Sequence, residues 1–161
     1  SALGYFENEL QRAVVLSMFL PLIISSGGNS GSQASTLIIR AMALGEIKLR
    51  DWWRVFVREV ATGAALGLVL GTIGAIRIML WPWREQMYGV HYAYIALTVA
   101  FSVLGCVMWG TISGSMLPFL LRKLKLDPAS ASAPAVATIV DVTGVIIYFS
   151  MANLMLKGLL L

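Results

Sequence analysis

One carboxylate stands apart from its surroundings. Asp141 lies in AVATIVDVTGVIIYF, and no other charged residue occurs between Pro128 and Ala152. On a helix crossing a bilayer this puts an aspartate near mid-depth, where insertion costs roughly +2.5 to 3.5 kcal/mol. Such a residue is expected to face the bundle interior or a watery cavity and to have a partner there. One account is a protonated or hydrogen-bonded group that ties helices together. No Lys or Arg stands at mid-depth in any apolar block to compensate it, which favours an account in which it handles a cation or a proton. Helical spacing brings Ala137, Thr138 and Gly144 to the same face, four and three residues before it and three after. Alanine and glycine leave backbone carbonyls approachable and Thr138 adds a hydroxyl. One carboxylate among neutral oxygens suits a hard cation.

A second polar set interrupts another apolar block: SSGGNSGSQ, Ser25 to Gln33. Asn29, Ser30, Ser32 and Gln33 supply neutral donors and acceptors, Gly27, Gly28 and Gly31 permit non-helical backbone, and Pro21 frees the carbonyl of Ser17. Broken backbone at membrane depth survives only in protein or beside water. The run is either an aqueous loop between two short helices or an uneven helical stretch lining a polar path. A loop would leave flanks of about 15 and about 11 residues, both short of the roughly 17 to 25 a span needs. The run is therefore expected inside one long segment, its polar atoms facing Asp141 or a partner helix. Asp127-Pro128 reads as an N-cap and first helical residue, or as charge balance for Arg122, Lys123 and Lys125, with a metal role as the alternative. Pro134 frees the carbonyl of Ser130 and is expected to loosen the helix start where a conduit opens.

The elements that must hold these residues follow from composition. The chain of 161 residues is 58% hydrophobic and 12% charged, with a mean hydropathy of +0.82, against about half and about a quarter in a soluble domain. It reads as one membrane domain. Four apolar blocks, about 10–45, 55–80, 92–121 and 129–158, can each cross a core of about 30 Å at about 1.5 Å per residue. The expected fold is all-α, a polytopic transmembrane bundle of four long helices.

Arg40, Lys48, Arg50, Arg54 and Arg58 around the first connection, and Arg122, Lys123 and Lys125 around the third, make up eight of the 12 Lys and Arg. The positive-inside rule puts connections 46–54 and 122–127 in the cytoplasm and both ends of the chain outside. The net charge of +4 is thus topogenic, and nucleic acid is not expected as a partner. Glu7 and Glu9 argue against a signal peptide, which wants positive charge there. Trp52, Trp53, Trp81, Trp83, Tyr88, Tyr92 and Tyr94 are expected as interface anchors, with His91 solvated among them. Cys106 is unpaired packing, and no Cys/His cluster has zinc spacing. With no nucleophile–base pair and no nucleotide loop, enzyme activity is not expected. Gly63, Gly67, Gly71 and Gly74, and again Gly110 and Gly114, form smooth stripes for close helix packing, with a dimer interface as a further use.

PLIISSGGNSGSQASTLIIRAMALGEI and DPASASAPAVATIVDVTGVIIYF resemble the two hallmark segments of the membrane domain of the MgtE family of magnesium channels and transporters, and the resemblance covers essentially the whole chain. It implies a homodimer of five-helix protomers in the cell membrane with the ion path between them. It implies that Asp141 binds the pore Mg²⁺ with the Ala137 carbonyl, that Asn29 lines the pore and that Asp127 binds Mg²⁺ near the cytoplasmic mouth. Thr138, Gly144 and Pro134 join Asn29 as expected pore-lining positions. It also implies a parent protein with a further first membrane helix, largely missing here, and cytoplasmic N and CBS domains that sense Mg²⁺. Gating is then expected to be lost or altered without them. The expected activity is Mg²⁺ conduction through a dimeric pore. The alternatives are an ion-coupled carrier of Mn²⁺ or Co²⁺, and a membrane dimerisation module resting on the Gly63/Gly67/Gly71 stripe.

Overall fold

The computed structural model describes residues 14–131 and 133–156. Within them the regular structure is all helical: α1 (Leu20–Ala43), α2 (Trp52–Leu80), the short α3 (Arg84–Tyr88), α4 (Tyr92–Lys123) and α5 (Ala133–Leu156), with 3-10 turns at Leu49–Asp51 and Pro128–Ser130. Four segments are long and apolar enough to cross a membrane: Val14–Ala43, Leu49–Leu80, Tyr92–Lys123 and Ala133–Leu156. Four were expected; the last begins at Ala133 rather than near residue 129, because Pro128–Ser130 forms a separate turn. The outer ends of the first and last blocks, residues 10–13 and 157–158, lie outside the described residues, as do Glu7 and Glu9.

The glycine-rich run does not break its helix. Residues 25–33 are α-helical throughout, so the non-helical backbone that Gly27, Gly28 and Gly31 would permit is not used. The interruption falls earlier, at residues 18 and 19. Phe19 is the N-cap and Pro21 sits in the first turn of α1, where a missing N–H costs nothing. Tyr148, fully buried on α5, donates its hydroxyl to the Leu16 carbonyl just before this interruption, at 2.7 Å. Tyr148→Phe keeps the ring and removes the bond. It is expected to lower stability by about 1 kcal/mol, seen as a lower unfolding midpoint in detergent.

α4 is the central helix. It packs against α1, α2 and α5, and 56% of its most apolar stretch is covered, against 28% for α5. Side chains fill the bundle at its two ends. Phe19, Ile23, Ile95, Val99, Val103 and Tyr148 belong to one cluster and Ile38, Met42, Val55 and Phe119 form the other. Between them the helices meet backbone to backbone. A Cβ added at Gly110 would strike the Gly27 carbonyl, and one at Gly114 the Gly31 carbonyl. Added at Gly27 or Gly31, it would lie 2.9 Å from the Cys106 oxygen or 2.8 Å from that of Gly110. Two stripes of small residues four apart thus interlock, the packing that lipid favours because it removes the ordinary hydrophobic drive.

The second stripe has a partner in the same chain. Gly63 lies against Thr111, Gly67 against Leu104 and Gly71 against Ala100, all on α4. That corrects the use of this stripe as a surface for a second copy: α4 already occupies it.

The charge-rich connections share one end of the bundle, where the Leu49–Asp51 turn touches α4. Both helices that end there close alike. Gly45 and Glu46 donate their N–H groups to Met42 and Ala41, and Lys125 and Leu126 donate theirs to Arg122 and Leu121, the pattern of a left-handed helix stop. Gly45 adopts the required positive φ of +73° freely; Lys125 adopts φ 61° at a cost of roughly 1 kcal/mol.

Among the aromatics, Trp52, Trp53, Trp83 and Tyr94 are exposed near helix ends. Tyr88 is not an interface anchor: it is buried against Phe19, ring centroids 5.7 Å apart. Trp81 is half-buried against the same core. Cys106 is fully buried packing.

Candidate functional site

α5 crosses α1 so that Asp141 meets Gly28, where α1 carries no side chain. A Cβ at Gly28 would stand 3.1 Å from Asp141 Oδ1 and 3.9 Å from the Cα and Cβ of Ala137. The adjacent glycine, Gly27, is turned about 100° around the helix and packs against the Cys106 carbonyl of α4 and the Val140 side chain of α5 instead. Beside Asp141 opens a cavity of about 430 Å³ lined by Leu20, Pro21, Ile24, Ser25, Gly28, Asn29, Ala137 and Asp141. Among the described residues no Lys or Arg lines it. Its charge is one half-buried carboxylate, and its neutral polar groups are Ser25 and Asn29. Asn29 donates Nδ2–H to Ser25 Oγ at 3.2 Å, which leaves the amide oxygen free to turn toward the cavity.

Asp141 is the ninth residue of α5, about 12 Å along the axis from its start at 1.5 Å per residue. That depth removes it from the charge-rich end. A carboxylate there, in an open cavity with hydroxyl and amide neighbours, can attract a cation that keeps most of its water, because no cationic side chain neutralises it.

The structure brings Asp141, Ala137 and Asn29 to this one cavity. The other expected positions lie elsewhere. Thr138 is exposed beside it and donates its hydroxyl to the Pro134 carbonyl at 2.9 Å. Gly144 is buried against α4, where the Cys106 thiol approaches its carbonyl at 3.6 Å. Pro134 is exposed in the first turn of α5. The helix starts at Ala133, so Pro134 breaks no helical bond to Ser130; the chain is already non-helical at Ala131. Asp127 stands at the charge-rich end, where its Oδ1 accepts the Ala129 N–H at 2.9 Å and caps the separate Pro128–Ser130 turn. The N-cap role is present, for that turn rather than for α5.

Two residue roles escaped sequence reasoning. Gly28 and Ser25 line the site, and Gly28 makes room for the carboxylate rather than for another helix. Their signal is the spacing 21, 24, 25, 28, one face of a helix. Ser32 and Ser35 do not face Asp141. They donate to the carbonyls of Ala133, at 3.0 Å, and Ala131, at 2.6 Å, and so pin the start of α5 to α1. Among the described residues no group of three or more His, Cys, Asp or Glu is placed to hold a metal ion. Among the described residues Asp141 is the one carboxylate that lines this cavity.

Comparison with known proteins bears on what such a site handles. The family model described as MgtE, divalent cation transporter, matches residues 20–151. The magnesium transporter MgtE of Thermus thermophilus is 40% identical over 158 residues, 98% of this chain and 33% of the relative. Those of Bacillus subtilis and Enterococcus faecalis are 32% and 30% identical, over 99% and 98% of this chain. The chain spans about a third of the length of these relatives.

Proposed function

Because the chain belongs to the MgtE family of divalent cation transporters, we propose that it conducts Mg²⁺ across the membrane, with Asp141 attracting the ion and two copies meeting along the face shared by α1 and α5. The observation that carries this reading is the Asp141 carboxylate, set against Gly28 in a cavity with no cationic side chain. Mg²⁺ gives up its waters reluctantly. Carboxylate and carbonyl oxygens acting on the hydrated ion are therefore the economical way to select it. One carboxylate balances half the charge of a divalent ion, so a second Asp141 from a partner copy completes the neutralisation. The mostly uncovered α5, with Val142, Ile146 and Phe149 exposed beside the cavity, supports that pairing. Asn29 and the Ala137 carbonyl face the ion path, and Asp127 collects ions at the charge-rich, cytoplasmic end. The cytoplasmic regulatory domains of a longer parent act from that end.

No energy source other than the ion gradient is required. A membrane potential does about 2.3 kcal/mol of work per charge per 100 mV, roughly twice that for a divalent ion. The chain, reconstituted in proteoliposomes with an imposed potential and no H⁺ or Na⁺ gradient, is expected to take up Mg²⁺ in proportion to the potential. Uptake that appears only with an H⁺ or Na⁺ gradient would overturn conduction in favour of a coupled carrier.

A further inference from the structure

A groove runs between α1 and α2, and at one end it borders the Asp141 cavity, with which it shares Pro21, Ser25 and Asn29. Its central part, a cavity of about 620 Å³, shares Ser30, Gln33 and Leu66 with one of about 560 Å³ that reaches Pro21 and Leu70. In the other direction it shares Glu46, Val55 and Arg58 with one of about 470 Å³ that reaches Lys48 and Arg50. The three are continuous, and from Val55 to Leu70 they follow α2 for about 22 Å, more than half of a hydrocarbon core of about 30 Å.

The lining changes character along this length. At the charge-rich end Arg40, Lys48, Arg50, Arg54 and Arg58 outnumber Glu46, Asp51 and Glu59. Asp51 is further engaged by the Lys48 backbone N–H, at 2.9 Å. Toward the other end no charged residue among the described ones lines the groove: Leu22, Leu66 and Leu70 form one part of its walls and the neutral Ser25, Ser26, Asn29 and Gln33 another. Two of the hydroxyls along the way are spent on their own helices: Ser30 donates to the Ser26 carbonyl at 2.8 Å and Thr62 to that of Arg58 at 2.9 Å. An apolar chain can pass them without stranding a donor.

We propose that this groove binds an anionic phospholipid, its phosphate diester at Arg40 and Arg58 and one acyl chain along Leu37, Leu66 and Leu70. The planar guanidinium fork matches phosphate oxygens, and a basic pocket between helices at a charge-rich membrane face selects anionic headgroups. The headgroup end, at Arg40 and Arg58, shares no lining residue with the Asp141 cavity, and lipid binding there does not depend on ion conduction.

Native mass spectrometry of the detergent-solubilised chain, titrated with phosphatidylglycerol or phosphatidylcholine, tests it. Phosphatidylglycerol is expected to be retained preferentially. Arg40→Gln/Arg58→Gln should lower that retention roughly tenfold or more, and so should Leu66→Trp, which fills the groove and keeps the charges. Arg77→Gln, outside the groove, should leave it unchanged. Thermal unfolding of each variant identifies any that fails to fold, and phosphatidylglycerol should raise the midpoint of the unaltered chain. Equal retention of the two lipids would overturn the proposal and leave the groove to a protein segment. So would full retention in Leu66→Trp, or the same midpoint rise from inorganic phosphate, which would mark an anion site without an acyl groove.

Discussion

Asp141→Ala is expected to reduce Mg²⁺ uptake by the reconstituted chain about a hundredfold. A divalent ion about 5 Å from one carboxylate gains about 1.7 kcal/mol even at the dielectric of bulk water. That is at least roughly tenfold per carboxylate, and in the proposed pairing two copies of the chain contribute two. The cavity is walled by Leu20, Ile24 and Ala137, so the effective dielectric is lower and this is a floor. Asp141→Asn separates charge from structure. The amide keeps the size and hydrogen-bonding capacity of the side chain but not its charge, so a residue that merely tied helices together would be largely replaced by it. On the present reading Asp141→Asn fails nearly as badly as Asp141→Ala, while Asp141→Glu retains part of the flux. Radiotracer or fluorescent-indicator uptake, with size-exclusion profiles to show that each variant folds, makes the comparison. Uptake by Asp141→Asn equal to that of the unaltered chain would remove Asp141 from the ion path.

The largest structural effect is expected at Gly114. A side chain there meets the Gly31 carbonyl, which is backbone on a neighbouring helix and cannot swing aside as a side chain would. Gly114→Leu must drive α1 and α4 apart along the whole glycine crossing, and is expected to cost about 3 kcal/mol or more, beyond ordinary overpacking. The contrast is Gly74→Ala, where the added Cβ finds Val99 Cγ1 at 3.6 Å and Leu22 Cδ2 at 3.8 Å, ordinary contact distances. That substitution should be neutral within about 0.5 kcal/mol, since alanine is also the better helix former. Unfolding midpoints in one detergent rank the two. A Gly114→Leu variant as stable as the unaltered chain would mean that the crossing is looser than the structure has it.

The four spans were legible because their signal is local: length, hydropathy and the lack of charge are properties of consecutive residues. Asp141 was legible for the same reason, as the single charge in a long apolar stretch. What sequence did not carry is which neighbour each face meets. Gly27 and Gly28 are adjacent and chemically identical, yet one receives the α4 backbone and the Val140 side chain while the other gives room to the Asp141 carboxylate. The Gly63, Gly67 and Gly71 stripe announced a close partner without naming α4. Nor did composition locate the break in the first segment. Each glycine in a helix costs up to about 1 kcal/mol against alanine, which suggests an interruption in SSGGNSGSQ. The close approach that those glycines allow holds the helix intact, and the interruption moves to residues 18 and 19, ahead of Pro21.

The glycine crossings have a mechanical consequence. Where Gly27 meets Gly110 and Gly31 meets Gly114, nothing compressible lies between the helices, and α2 is locked to α4 in the same manner on its other side. α1, α2 and α4 therefore behave as a stiff plate. α5 lies at its margin, fastened near its start by Ser32 and Ser35, just past Asp141 by Trp109, which donates to Thr143, and further along by Tyr148. Any widening or narrowing at the carboxylate is then a bowing or tilting of one helix against a rigid wall, a lever motion limited by the serine hydroxyls, the Tyr148 phenol and the Trp109 indole that hold that helix.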